Sequence, residues 1–239
     1  MKKNVMLTSI LILVASIVFG QITEDRKGYI GISVGPAIPV GSFASKNTDN
    51  SKAGLATTGA IFDVSFAYKL KKNIGLAALL RGQYNPVNVQ PLADKMNSQM
   101  SGASAYTNGD GWSSGGVMAG LYSAYPLNHK ATFILELKTL AGFMNTTSPQ
   151  IDMTISSPEG SGWVKQHSAT ATSFAYLFNA GLRFNTGKRI SFILNTDYSD
   201  YTPNFKNVQM TSSIGTQETN NMTQEIQTIN ISAGIAFRL

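Results

Sequence analysis

The chain of 239 residues holds two histidines, and only one of them has the company that chemistry needs. His167 is followed by Ser168, and Asp152 or Glu159 approaches it if the intervening segment folds back as a hairpin. A histidine, a hydroxyl and a carboxylate in mutual reach are the parts of a nucleophilic hydrolase. No recognisable motif surrounds them here, so the plainer reading is a polar loop residue. His129 stands beside Lys130 in a short turn without an acidic neighbour and reads as solvated. Oxygen side chains alternate in Asn47-x-Asp49-x-Ser51 and Asn108-x-Asp110, as at the start of a calcium loop, but no bidentate Glu closes either. No catalytic residue, cofactor or metal site is assigned. A second group of residues, Asp63, Arg81, Glu136, Lys138, Asn179 and Asp197, takes its meaning from the elements that carry it.

Those elements are strands. Residues 227–239, QTINISAGIAFRL, place Ile229, Ile231, Ala233, Ile235, Phe237 and Leu239 on one side and mostly small or polar residues on the other. Strict period-2 alternation is a strand with one apolar face. Tyr68, Tyr125, Phe184 and Phe237 mark strand ends that recur about every 53 to 59 residues, a repeat long enough for one hairpin. Eight strands are expected, at about 29–40, 57–70, 74–85, 112–127, 132–144, 170–185, 189–201 and 227–239. The connections alternate long and short: short at 71–73, 128–130 and 186–188, long at 41–53, 86–111, 145–168 and 202–223. Strands five and six are expected to continue into a protruding hairpin through Ile151–Ile155, with a turn at Pro158-Glu159-Gly160. The other long loops read as solvated.

The first twenty residues have a basic start, Lys2 and Lys3, an apolar run from Val5 to Phe19 and a small residue at Gly20. That is the pattern of a signal peptide cleaved before Gln21, which leaves residues 21–239 as one domain. Without Lys2 and Lys3 the chain has 17 basic and 13 acidic residues, a net charge of +4. No basic run with interleaved aromatics is present, which argues against nucleic acid. There is no Cys, so no disulfide forms. Only 13% of residues are charged, about half the usual share for a soluble protein, as befits a wall whose outer face avoids charge. The expected architecture is all-β: an eight-stranded antiparallel up-and-down transmembrane barrel, apolar face outward, in the outer membrane of a Gram-negative bacterium. Aromatics should ring both rims, with Tyr84, Trp112, Tyr198 and Tyr201 at the outer one.

The segments GYIGISVGPAIPVGSF, GLYSAYPL and SAGIAFRL carry a resemblance to the small outer-membrane β-barrels of the OmpA/OmpX type. It covers residues 21–239 and consists of patterns rather than signatures. Barrels of that family commonly end in an aromatic residue; this chain ends in Leu239, with Phe237 two places back. The resemblance implies outer-membrane lipid and the barrel insertion machinery as partners, with an extracellular ligand or an envelope protein as a further one. It favours a non-enzymatic protein, structural or presenting its loops for binding. The alternatives are a lipid-modifying enzyme using His167 and an accessory barrel of a secretion or transport assembly.

An eight-stranded barrel is just wide enough for side chains to fill it. Gly31, Gly35, Gly142, Gly181 and Gly234 are expected to leave local room, and Arg81, Glu136, Lys138, Arg183 and Asp197 to plug the rest. Asp63 and Arg81 stand nine residues to either side of a turn centred near Lys72, which sets them opposite each other. Lys138, Asn179 and Asp197 lie at a similar height. The expected centre of the lumen is therefore an Asp63–Arg81 pair joined by Glu136, Lys138 and Asp197.

Overall fold

In a computed structural model of the protein the described residues are 27–100, 102–128, 130–158, 160–186, 189–215 and 217–239. The expected signal peptide lies outside them, as do His129, Glu159 and Lys188. Eight strands close a barrel: β1 (Gly28–Pro39), β2 (Gly59–Lys71), β3 (Ile74–Pro86), β5 (Gly111–Pro126), β6 (Phe133–Thr147), β9 (Thr170–Asn185), β10 (Ile190–Tyr201) and β13 (Ile226–Arg238). Each pairs antiparallel with its chain neighbours in the barrel, and β13 closes on β1 with Ile32 opposite Ile235.

Alternation decides which way each side chain points. Ile32, Phe66, Leu80, Val117, Phe143, Phe178, Leu194 and Ile231 all stand exposed on the outside, while their neighbours along each strand are buried or half-buried. In water a belt of this kind would forfeit about 25 cal/mol for every square ångström left wet. A closed barrel with that belt outside and polar groups inside is the arrangement that spans a bilayer with strands. Pro36, which has no N–H to donate, interrupts the β1–β13 ladder: the pairs at Gly35 and Pro36 are missing between Val34–Ala233 and Ala37–Asn230.

The lumen glycines do not open space. A Cβ at Gly35 would overlap the Ile231 carbonyl, one at Gly142 the Val117 carbonyl, and one at Gly234 the Ile32 carbonyl. They let neighbouring backbones close on each other where the wall curves.

Two further expectations need correction. Trp112 and Tyr201 do not ring the outer rim; both are buried at the barrel mouth, only 4% and 3% exposed. On β5 the outward positions are odd (Val117, Leu121) and on β10 even (Ile190 to Leu194), so parity turns both rings inward. Tyr84 and Tyr198 do carry the outward positions at that end. The long loops, moreover, are not merely solvated. Strands β4 (Ser104–Gly109), β7 (Ile151–Ser157), β8 (Gly160–Gln166), β11 (Asn204–Ser212) and β12 (Gln217–Thr223) form a second, five-stranded sheet in the order β12-β11-β8-β7-β4. The β7–β8 hairpin falls where one was expected, yet it is no continuation of β6 and β9. It leaves the wall at Ser148, whose N–H donates to the Ala169 carbonyl, and pairs with β4 and β11. Helix α1 (Gln90–Gln99) starts with a proline in its first turn, which needs no N–H there, and packs on β4.

Candidate functional site

The lumen is built in layers. In the middle, the Arg81 guanidinium on β3 donates to both oxygens of Asp63 on the adjacent β2, at 2.8 and 2.7 Å. Its other edge donates to both oxygens of Asp197 on β10, at 2.8 Å each. In strand order β3 and β10 are four places apart in either direction, so this side chain spans a full diameter. Asn230 donates to Asp197 Oδ1 at 2.8 Å and completes the group.

Toward the short turns lies a second group around Glu136 on β6. Tyr29 and Tyr122 donate to its two oxygens at 2.7 and 2.8 Å, Arg183 Nε donates at 2.8 Å, and Lys138 Nζ stands 3.4 Å away. Tyr29 on β1 also reaches across a diameter, a quarter-turn from the Arg81 one. The two layers together hold three carboxylates and three cations, so the buried charge balances. Asn179 pairs in register with both Lys138 and Asp197 but bonds the Thr196 carbonyl at 3.4 Å rather than either charge. Between the layers, a cavity of about 20 Å³ lined by Asp63, Arg81, Lys138, Asn179 and Asp197 has room for about one water.

Six residues singled out in the sequence thus come into one lumen, in two layers rather than one centre. Tyr29, Tyr122 and Asn230 escaped that reading. Tyr29 and Asn230 follow from counting parity along their strands, since the outward residues of β1 are even and those of β13 odd.

Above the charged layers the polar groups are neutral. Asn85 donates to the Ala37 and Thr57 carbonyls, and Ser114–Thr146 and Ser199–Thr228 are hydroxyl pairs at 3.0 and 2.9 Å. An aromatic cap then closes the mouth. Phe43 from the first long connection and Phe205 from the last lie with ring centres 5.9 Å from that of Trp112, and Trp112 Nε1 donates to the Gly54 carbonyl.

Over the cap sits the five-stranded sheet. One face is turned toward α1, with Thr107 Oγ1 donating to the Val89 carbonyl. The other carries Tyr106, Thr154 and Trp163 in one cross-strand row and Asn108, Asp152, Lys165 and Thr211 in the next.

The hydrolytic parts do not assemble among the described residues. His167 Nε2 meets the Thr211 hydroxyl at 3.1 Å, and Asp152 instead faces Lys165 Nζ at 3.5 Å. In the Asn47–Ser51 segment, Asn47 Oδ1 accepts from the Asp49 N–H and Asp49 pairs with Lys95 at 2.7 Å, which holds its carboxyl below the usual range. Asn108 Oδ1 is taken up by the Gly109 N–H.

No protein-family model matches the chain, and no curated protein does. Among solved structures it is similar to Ail, the attachment invasion locus protein of Yersinia pestis, at 17% identity over 89% of this chain and 99% of that one, TM-score 0.42. It is similar also to Neisserial surface protein A (11%, 89% and 97%, TM-score 0.44) and to a major outer membrane protein from Thermus thermophilus (8%, 89% and 99%, TM-score 0.47). None of these likenesses assigns a ligand or an activity. The chain's own architecture defines its class: a closed eight-stranded barrel with an apolar belt outside and a polar lumen is a small transmembrane β-barrel of the kind that spans outer membranes.

Proposed function

We propose that the protein is a non-enzymatic surface-display barrel, in which a plugged and charge-locked wall holds up the external sheet for recognition outside the cell. The observation carrying this reading is that the long connections β3–β5, β6–β9 and β10–β13 each contribute to one ordered sheet above a sealed lumen. A pore needs an open path and gains nothing from an aromatic cap. A hydrolase needs a carboxylate on His167, whereas among the described residues its ring meets the Thr211 hydroxyl and its backbone N–H donates to the Gln209 carbonyl.

Three measurements test the reading. Cys placed at Ser104 or Ser213 should label on intact cells and Cys at Asn73 should not, following the rule of short periplasmic turns; the reverse would put the sheet on the wrong side. Planar bilayers containing the protein should show no steady conductance steps. Lipid A profiles should be the same with and without the protein. The positive arm screens extracellular glycans and matrix proteins for retention by the protein in nanodiscs. Retention lost when residues 149–168 are replaced by a short turn supports display by the sheet; retention unchanged by that replacement overturns it.

A further inference from the structure

Each of the four long connections holds a single aromatic residue, and the fold treats them in two ways. Phe43 and Phe205 are fully buried in the cap. Tyr106 and Trp163 are 69% and 46% exposed, and they share one face of the external sheet. Tyr106 is directly opposite Thr154, and Thr154 is directly opposite Trp163. Two strand spacings separate the rings' backbones, about 9.5 Å. We propose that this face is a binding platform for a neutral oligosaccharide chain, with Tyr106 and Trp163 as two stacking subsites. The proposal rests on the reading of the sheet as a display surface and names the chemistry displayed.

The two surfaces match in shape and polarity. A pyranose ring offers an apolar C–H face and a rim of hydroxyls, so it is held by a flat exposed aromatic ring with hydrogen-bonding side chains beside it. Both parts are present. The aromatic row is flanked on one side by Asn108, Asp152 and Lys165 and on the other by Ser156 and Ser161. Sheet pairing sets the two aromatic positions two strand spacings apart, about twice the length of one pyranose unit, which suits alternate units of a chain and not a single sugar. Lipid would require an uninterrupted apolar band like that of the wall, and Thr154 breaks this row. The phosphorylated sugars of an outer leaflet would require unpaired cations, and Lys165 already faces Asp152 at 3.5 Å. The face fits an uncharged chain from the surroundings. On β4 the opposite face is taken up, since α1 packs there and Asn97 accepts from the Ala105 N–H.

The chain's two tryptophans make the test direct, because Trp112 is buried and Trp163 is not. Full-length protein in lipopolysaccharide-free nanodiscs is titrated with maltohexaose, cellohexaose and chitohexaose. In a Trp112→Phe variant, at least one sugar should protect Trp163 from iodide quenching. By calorimetry, Trp163→Ala and Tyr106→Ala should each weaken that binding by about tenfold or more, the usual effect of truncating an aromatic anchor. Trp163→Tyr, which keeps a flat ring, should stay close to wild type. Unchanged Trp112 emission in Trp163→Ala shows that the fold is intact. Failure of all three sugars to protect at millimolar concentration overturns the proposal, as does Trp163→Ala binding like wild type. Protection by lipopolysaccharide alone also overturns it and assigns the face to the outer leaflet. If replacing residues 149–168 abolishes retention of an extracellular target while Trp163→Ala does not, the display reading stands and the sugar platform falls.

Discussion

Arg81 in the lumen and Lys165 on the external sheet each face carboxylates across paired strands, yet the two pairs obey different physics. Arg81 is buried and bonds four carboxylate oxygens at 2.7 to 2.8 Å. Lys165 stands 3.5 Å from Asp152, with about a third of its side chain exposed. In the lumen water cannot replace a lost partner, so each charge depends on its mates. On the sheet water can, and the pair adds little. The wall is therefore locked by polar groups inside and lipid outside, whereas the sheet is held by backbone pairing and one aromatic anchor. That division leaves the sheet's outer face free to vary without threatening the barrel.

The contrast breaks first at Arg81. Arg81→Ala strands two carboxylates and should cost about 3–5 kcal/mol of barrel stability, read as a lower urea midpoint in bilayers. A midpoint equal to wild type would mean that the charges do not lock the lumen. Phe66→Arg tests the other side of the same wall. It puts a charge on the lipid face and should cost about 2–4 kcal/mol if Phe66 lies near mid-depth. Normal folding of that variant would mean the belt does not face lipid.

Smaller effects belong to the sheet. Replacing residues 149–168 with a short turn should leave the barrel's urea midpoint within about 0.5 kcal/mol of wild type, the range of changes remote from packed features. A large loss would show that the sheet supports the wall. The smallest effect is expected at Lys165→Ala, about 0.2–1 kcal/mol and reduced by salt. Hydrogen exchange of the β8 amides is a sensitive readout; a loss as large as that of Arg81→Ala would erase the distinction drawn between the two pairs.

The barrel was legible because its signal is local. Period-2 alternation, short turns and long loops can be read strand by strand, and β9 runs over the expected residues, 170–185. The Asp63–Arg81 pairing is likewise local, because one short turn sets its register. Parity, followed through every strand, also tells that Trp112 and Tyr201 point inward. What sequence by itself does not determine is what meets across the closed barrel and between loops. Arg81 finds Asp197 116 residues away only because closure sets β3 and β10 opposite each other. Tyr29 reaches Glu136 for the same reason. Tyr106 belongs to a polar loop with little to mark it as a strand, Trp163 to the returning arm of the expected hairpin, and they share a row because β7 pairs with both β4 and β8. Local alternation is a property of consecutive residues; partnership across a lumen or between loops depends on closure, stagger and register, which exist only once the whole sheet has formed.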